Sequence, residues 1–247
     1  MPFADDLARI QEQIAAACRK AGRSPDDVAL MAVSKMHSAE AVREACDAGV
    51  WLFGENRVQE WQQKREALAD LFGPGGARVH LIGPLQSNKT ARAAELFDAV
   101  DTVDSLKIAS RLAAAAEALG RRLQVMIEVK LSHEESKHGI VPSELPALLQ
   151  AMQGMEWLVP AGLMTVPPWS KEAEPARPYF RELRRLRDAS LPLCPTLTDL
   201  SMGMSNDFTV AIEEGSTCVR IGTALFGRRQ YAEPVPQQNM DSNGGQH

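Results

Sequence analysis

One lysine stands in an unusual position for a charged residue. The six apolar residues from Val28 to Val33 are typical of a strand buried on both faces, and Ser34 and Lys35 follow them directly. Lysine is rarely buried without a partner, and burial lowers the pKa of its amine. A neutral lysine amine can form a Schiff base with a carbonyl compound. The alternative is structural, with the amine of Lys35 reaching solvent at the strand end.

Two loops have the composition of an anion site. The stretch from Ser201 to Asp207 places small hydroxyl residues and a glycine just before a predicted helix. Backbone N–H groups at a helix N-terminus, with hydroxyls beside them, bind phosphate. Gly222 and Thr223 would supply further donors to the same anion. The alternative is an ordinary helix cap, in which Ser205 caps its own helix.

Arg220 is an arginine inside an apolar strand pattern. A buried guanidinium stays charged and needs an acceptor. That acceptor would be an aromatic nitrogen of a ligand or, alternatively, the carboxylate of Glu128 or Asp199 in the core. A lysine for an aldehyde, an anion site for phosphate and an arginine for a ring nitrogen together match pyridoxal 5′-phosphate.

Strands and helices alternate along the chain. A first amphipathic helix carries Phe3, Leu7 and Ile10 on one face and ends at Gly22. Eight apolar runs then predict strands over 28–33, 50–53, 79–82, 99–103, 124–129, 157–163, 197–202 and 217–221. Between them, helices are predicted after the caps Ser38 and Ser105 and over 56–71, 143–152, 175–189 and 205–214. Eight alternations favour a single (β/α)₈ TIM barrel with an extra N-terminal helix over an open doubly wound sheet.

The barrel hypothesis explains where the unusual residues fall. In such barrels the chemistry lies at the carboxyl ends of the strands. Lys35, the Ser201–Asp207 loop and Arg220 all lie at or near predicted strand ends. They are therefore expected to meet at one mouth of the barrel.

Composition excludes several classes of function. The 247 residues carry a net charge of −5 without a basic stripe, so neither nucleic acid nor a membrane surface is an expected partner. The first residues lack the apolar segment of a signal peptide, and no apolar run is long enough to span a bilayer. Four scattered cysteines indicate free thiols in a reducing cytoplasm, and the five histidines lack metal-ligand spacing.

Seven stretches of the sequence carry a family resemblance. They are Ala32–Lys35, Phe53–Asn56, His80–Lys89, Glu135–Gly139, Gly162–Thr165, Leu200–Ser205 and Gly215–Gly227. With these motifs in this order, the chain over about residues 5–231 resembles the pyridoxal phosphate homeostasis proteins. These are single-domain relatives of the barrel domain of alanine racemase.

The resemblance implies roles for individual residues. Lys35 would carry pyridoxal 5′-phosphate as a Schiff base, Asn56 and Met164 would flank the ring, and Arg220 would face the ring nitrogen. The residues expected around the phosphate are Ser201, Gly203, Ser205, Gly222 and Thr223. The cofactor-binding barrel is expected over residues 1–231 and a disordered tail over 232–247, which is rich in polar residues, Gly and Pro.

Two lysines complicate this picture. Lys130 occupies a position where the family usually has asparagine, so this chain departs from the family pattern in the loop after the fifth predicted strand. Lys137 is a further candidate for transient capture of the aldehyde. Its alternative is an ordinary solvated loop lysine.

The expected role is that of a carrier in vitamin B6 homeostasis, without a catalytic residue. Racemases of the related fold add a second domain and a tyrosine, whereas Tyr179 and Tyr231 lie in no matched motif. Racemisation needs proton transfer on both faces of a carbanion, and an arginine at the ring nitrogen weakens the electron sink. The protein is expected to be a cytoplasmic monomer. Its expected partners are apo-enzymes that depend on pyridoxal phosphate and would receive the cofactor from it. The alternatives are a racemase-like enzyme acting on amino acids and a Schiff-base aldolase.

Overall fold

The chain folds into a closed barrel of eight parallel strands, which confirms the predicted TIM barrel. A computed structural model describes residues 2–132, 134 and 138–227. The strands are β1 Ala29–Val33, β2 Leu52–Glu55, β3 Arg78–Leu81, β4 Ala99–Val103, β5 Leu123–Glu128, β6 Leu158–Met164, β7 Asp199–Met204 and β8 Cys218–Ile221. Each strand pairs with the next in sequence, and β8 closes the barrel on β1. Lys137, Tyr231 and the expected tail over 232–247 lie outside the described residues.

Helices surround the strands. They are α1 Pro2–Ala21, α2 Ala39–Asp47, α3 Val58–Arg65, α4 Thr90–Leu96, α5 Leu106–Ala118, α6 Leu145–Met152, α7 Arg177–Ser190, α8 Phe208–Glu213 and α9 Thr223–Phe226. The two predicted caps are confirmed, since the hydroxyl of Ser38 accepts a hydrogen bond from the N–H of Ala41 and that of Ser105 from the N–H of Ile108. Within the described residues, none of these helices is long and apolar enough to cross a membrane.

Some local predictions were wrong. The sequence pattern did not predict α4, because its buried face consists mainly of small residues that give little hydrophobic periodicity. The apolar spacing after Ser105 also predicts Leu106 and Leu119 on the inner face of that helix, but they are 50% and 45% exposed, at the start of α5 and just after its end. The helix predicted over 205–214 begins only at Phe208.

The core fills the layer between the strands and the helices. Its largest fully buried side chains include Trp61, Phe53, Phe97 and Phe180. Trp61 packs edge-on against Phe72 at 4.8 Å between ring centroids, and its indole N–H donates a hydrogen bond to the carbonyl of Leu96 at 3.0 Å. This cluster joins α3 to α4. All four cysteines are free thiols, as the sequence predicted.

The corner between β7 and α8 requires a glycine. Gly203 has a φ of +96°, and a Cβ at this position would lie 2.6 Å from the Cβ of Ala211 and 2.9 Å from the Cα of Phe208. Both the left-handed backbone and the lack of space disfavour any side chain. The corner therefore brings the end of β7 close to α8.

We expect Gly203→Ala to destabilise the fold by about 2–5 kcal/mol, since it combines left-handed strain with overpacking. Urea denaturation followed by circular dichroism measures the change. Gly154→Ala is the matched control, because a Cβ there meets nothing within 4 Å, and its effect should stay within about 1 kcal/mol. Equal stability of the two variants would contradict this account of the corner.

Candidate functional site

A cavity of about 500 Å³ lies at the carboxyl ends of the strands. This volume is in the range of sites for small organic ligands. Six of the nine residues predicted to bind the cofactor line it: Lys35, Asn56, Ser205, Arg220, Gly222 and Thr223. The fold therefore brings together residues from both ends of the chain.

Lys35 lies in a tight turn directly after β1. The N–H of His37 donates a hydrogen bond to the carbonyl of Ser34 at 3.1 Å, and Met36 adopts a φ of +64°. A positive φ at the third residue of a turn is usually left to glycine or asparagine. The side chain of Lys35 is half-buried and lines the cavity. This placement favours a site role for Lys35 over the alternative of an amine extended to solvent away from the site.

Arg220 is a buried cation in the wall of the cavity. It is 4% exposed, and its guanidinium donates hydrogen bonds to the hydroxyl of Ser201 at 2.7 Å and the carbonyl of Thr165 at 2.9 Å. Burial lowers the pKa of Arg220, and nearby anionic groups that include Asp207 and Glu128 oppose this effect. These contacts anchor a charged group that also borders open space.

Asp199, one of the carboxylates considered as a core partner of Arg220, lies elsewhere. It begins β7 and lines a separate cavity of about 220 Å³ together with His80 and Asp101. Burial raises the pKa of Asp199, which the hydrogen bond from Thr217 opposes. Asp199 is therefore at the opposite end of the barrel from the mouth.

The loops after β7 and β8 meet at one side of the cavity. The hydroxyl of Ser205 accepts a hydrogen bond of 3.5 Å from the N–H of Ala224, in the first turn of α9. Ser205 does not cap α8, whose N-cap is Asp207. The alternative role proposed for Ser205 from the sequence is therefore wrong. The hydroxyl groups of Ser205 and Thr223 instead lie on one edge of the cavity with Gly222.

Asn56 is held by close packing against the next loop. It is half-buried after β2 and lines the cavity. A Cβ on Gly83 would overlap the backbone of Asn56, so glycine lets the two loops touch. The carbonyl of Gly83 accepts a hydrogen bond of 2.8 Å from the hydroxyl of Thr102. This packing fixes where Asn56 leaves its strand.

Three residues predicted for the site do not line the cavity. Met164 is 1% exposed at the end of β6, and Gly203 forms the corner described above. Ser201 is fully buried and reaches the cavity only through its hydrogen bond with Arg220. Any effect of these three residues on a ligand is therefore indirect in this conformation. Lys130 does not line the cavity either, and its N–H donates to the carbonyl of Ile140.

Several cavity residues were not among the residues predicted to bind the ligand. Examples are His37, whose ring stacks on Phe226 at 4.6 Å, and His138, which lies in one of the matched stretches. Asp207 is also there, and burial raises its pKa against the opposing hydrogen bond from the N–H of Met204. Trp169 also lines the cavity, and it is 80% exposed. These residues add titratable and aromatic groups to the mouth.

Asn206 ties the loop that carries Trp169 to the loop after β7. Its side-chain N–H groups donate hydrogen bonds to the carbonyls of Ser170 at 2.7 Å and Lys171 at 2.9 Å. Because both bonds come from one amide, a single residue holds this edge of the mouth.

We expect Asn206→Ala to loosen this loop and speed limited tryptic cleavage after Lys171 by about fivefold or more, since two hydrogen bonds of roughly 1 kcal/mol each are lost. Mass spectrometry of the fragments measures the rate. Cleavage after Lys107, an exposed residue in α5, should not change and serves as the internal control. An unchanged rate at Lys171 would show that other contacts hold the loop.

Comparison of the sequence with known proteins gives one family model and several closely similar relatives. The family model described as alanine racemase, N-terminal domain, matches residues 6–230. A pyridoxal phosphate homeostasis protein of Pseudomonas aeruginosa is 46% identical over 233 residues, which cover 94% of this chain and 98% of that protein.

Solved structures agree with this grouping. The structure of PipY of Synechococcus elongatus with pyridoxal phosphate bound is similar with a TM-score of 0.78 and 40% identity, and the match covers 88% of this chain and 100% of PipY. An alanine racemase of Clostridium difficile has a TM-score of 0.66 at 14% identity, covering 90% of this chain and 60% of the racemase. The latter similarity concerns the fold alone.

Proposed function

This chain belongs to the pyridoxal phosphate homeostasis protein family, and on that premise we propose that it binds pyridoxal 5′-phosphate through Lys35 and acts in vitamin B6 homeostasis. The observation that carries the proposal is the meeting of Lys35, Arg220 and the Ser205 and Thr223 hydroxyls around one cavity. When bound, the cofactor supplies an aldehyde that a lysine amine can capture as a Schiff base.

The residues present fit this ligand. The cavity of about 500 Å³ has a lysine on the side of β1 and an arginine held by two hydrogen bonds on the side of β8. The hydroxyls of Ser205 and Thr223 and the backbone around Gly222 offer donors to a phosphate. We propose that Asn56, which lines the same cavity, contacts the ring. Of the predicted phosphate residues, Ser201 and Gly203 do not line the cavity, and Ser201 instead accepts a hydrogen bond from Arg220.

Arg220 favours a carrier over a catalyst. A guanidinium remains charged in proteins and donates hydrogen bonds without accepting them. Facing the ring nitrogen, it would keep that nitrogen unprotonated and so reduce the capacity of the ring to accept electrons. The ligand would then be held by the protein without strong activation of an amino-acid substrate. We therefore propose a non-catalytic role.

A second candidate function is a weak racemase-like activity. His138 and Asp207 line the cavity and could exchange protons with a bound substrate. Tyr179 does not line the cavity, and Tyr231 lies outside the described residues. The balance favours the carrier, since proton transfer on both faces of a substrate needs two groups positioned on opposite sides. An aldolase has no such support, because the family points to a bound cofactor.

The proposed setting is the cytoplasm, where free thiols stay reduced. We propose that the protein works as a monomer and passes its ligand to apo-enzymes that depend on pyridoxal phosphate. An open mouth with half-exposed rim residues is compatible with uptake and release of a small molecule. Delivery of this kind requires no further chemistry from the carrier.

We expect purified protein incubated with pyridoxal 5′-phosphate to show the yellow absorbance of a lysine Schiff base, and Lys35→Ala to lose it. Borohydride reduction followed by peptide mass spectrometry should locate the adduct on Lys35. Lys130→Ala is the matched control, since this lysine does not line the cavity, and it should retain the band. An adduct of equal yield in Lys35→Ala would refute the assignment.

We expect no efficient turnover of free amino acids by the loaded protein. Exchange of the Cα proton with deuterated water, followed by NMR over a panel of both enantiomers, should stay well below about 1 s⁻¹, the lower end for typical enzymes. A rate within the usual enzymatic range would leave the binding site intact and replace the carrier role with the racemase-like one. His138→Ala and Asp207→Asn would then identify the proton-transfer groups.

A further inference from the structure

A buried lysine holds the backbone on both sides of Lys35. Lys64, on α3, has a side chain only 10% exposed, and its ammonium donates to the carbonyl of Ser34 at 2.9 Å and to Oε1 of Glu60 at 2.8 Å. The same Glu60 oxygen accepts a hydrogen bond from the N–H of Met36. The Ser34 carbonyl and the Met36 N–H belong to the two peptide groups that meet at the Cα of Lys35. This ring of hydrogen bonds therefore sets the orientation of Lys35.

A second carboxylate keeps Lys64 in this position. Glu55, fully buried at the end of β2, has its Oε1 2.9 Å from the ammonium of Lys64 and accepts a hydrogen bond of 2.8 Å from the hydroxyl of Ser34. Its other oxygen has no hydrogen-bond partner among the described residues. Burial raises the pKa of Glu55, which the charge of Lys64 opposes. A buried carboxylate of this kind depends on its cation.

The turn that carries Lys35 needs such support. Met36 is a non-glycine residue with a φ of +64°, a conformation that costs energy and persists only where the surroundings enforce it. The N–H of Met36 is one of the groups held by the cluster of Lys64, Glu55 and Glu60. Without the cluster, the turn could relax and rotate the side chain of Lys35 away from the cavity.

The cluster contacts the backbone next to Lys35 and not the cavity itself. Lys64, Glu55 and Glu60 do not line the cavity, so they do not touch a ligand there. An apolar group of similar size often stabilises a fold as well as a buried ion pair does, so stability alone is a weak reason for this arrangement. Its contacts converge instead on the backbone of the one residue proposed to bond covalently.

We propose that Lys64 is a positioning residue for the reaction of Lys35 with the ligand aldehyde, an inference that rests on the function proposed above. In that reaction the amine nitrogen of Lys35 bonds to the aldehyde carbon. The carbon–oxygen bond breaks, and the oxygen leaves as water with the two amine protons. No oxidant or reductant is required. Lys64 exchanges no proton in this step and acts only by holding the Lys35 turn in the geometry from which the amine attacks.

The test is the variant Lys64→Met, which keeps the length of the side chain and removes the ammonium. Stopped-flow absorbance with pyridoxal 5′-phosphate should show Schiff-base formation slowed by about tenfold or more, since misplacing a reacting group costs rate steeply. Affinity for pyridoxine 5′-phosphate, which has the ring and phosphate but no aldehyde, should change by less than about twofold. Isothermal titration calorimetry measures this affinity. If Lys64 served only the stability of the fold, its replacement would affect the reaction with pyridoxal 5′-phosphate and the binding of pyridoxine 5′-phosphate alike.

Two further variants serve as a control for the loss of a lysine and as a substitute if Lys64→Met does not fold. Lys20→Met removes a lysine that pairs with Glu213 at 2.7 Å on the surface, and it should behave as the unaltered chain with both ligands. If Lys64→Met alone does not fold, adding Glu55→Gln removes the carboxylate left buried without its cation. The same separation of the two ligands is expected in this double variant.

The outcomes distinguish the two proposals. Schiff-base formation at the unaltered rate in Lys64→Met, or an equal loss of both ligands in a folded variant, overturns the positioning role and leaves the proposed function standing. If the unaltered chain binds neither ligand or forms no adduct on Lys35, the proposed function is refuted and the positioning role with it.

Discussion

The hydrogen-bonded pairing of β8 with β1 is the constraint on which the site depends. It closes the barrel and sets Arg220 beside Met31, four residues before Lys35 in the chain. The parallel direction of all eight strands then places every carboxyl end at one rim. Lys35 from the start of the barrel and Thr223 from its end therefore border the same cavity. Closure creates the site because no local segment contains more than a part of it.

Charge at this rim is held at low exposure by specific partners. Arg220 donates to Ser201 and Thr165, while Lys64 lies between Glu55 and Glu60. A buried ion without such partners would cost several kcal/mol. Only the first of these cations borders the cavity. The guanidinium of Arg220 lines the open space, where it could contact a ligand directly. Lys64 instead contacts the backbone next to Lys35, and Lys35 lines the cavity.

The same barrel serves proteins with different chemistry, so the fold alone does not decide the function. In this chain, the decision depends on the groups around the cavity. The proposed contact of Arg220 with the ring nitrogen would favour storage of a reactive aldehyde over its use in breaking bonds to the substrate Cα. His138 and Asp207, which line the cavity, are the groups on which the second candidate function would depend. The proposed carrier role thus rests mainly on the expected effect of Arg220 on protonation of the ring nitrogen.

The sequence by itself determined the barrel, its eight strands and six of the residues that line the cavity. Alternation of apolar runs with amphipathic helices is a local pattern, and Lys35 and Arg220 stood out because charge interrupts or follows apolar runs. The resemblance added Asn56, and it also named Met164 and Gly203, which lie behind the cavity in the structure.

Only the tertiary structure decided which groups touch. The short helix α4 lacks a periodic apolar face, and its burial depends on packing against α5 and Trp61. The partner of Ser205 is Ala224, which follows the next strand, so a local reading assigned the hydroxyl to the wrong helix. Lys64 looks like an ordinary helix lysine in sequence. Its contact with the Ser34 carbonyl exists only because β1, β2 and α3 converge at the rim. Such contacts depend on distances in space, and the local periodicity of a sequence does not encode them.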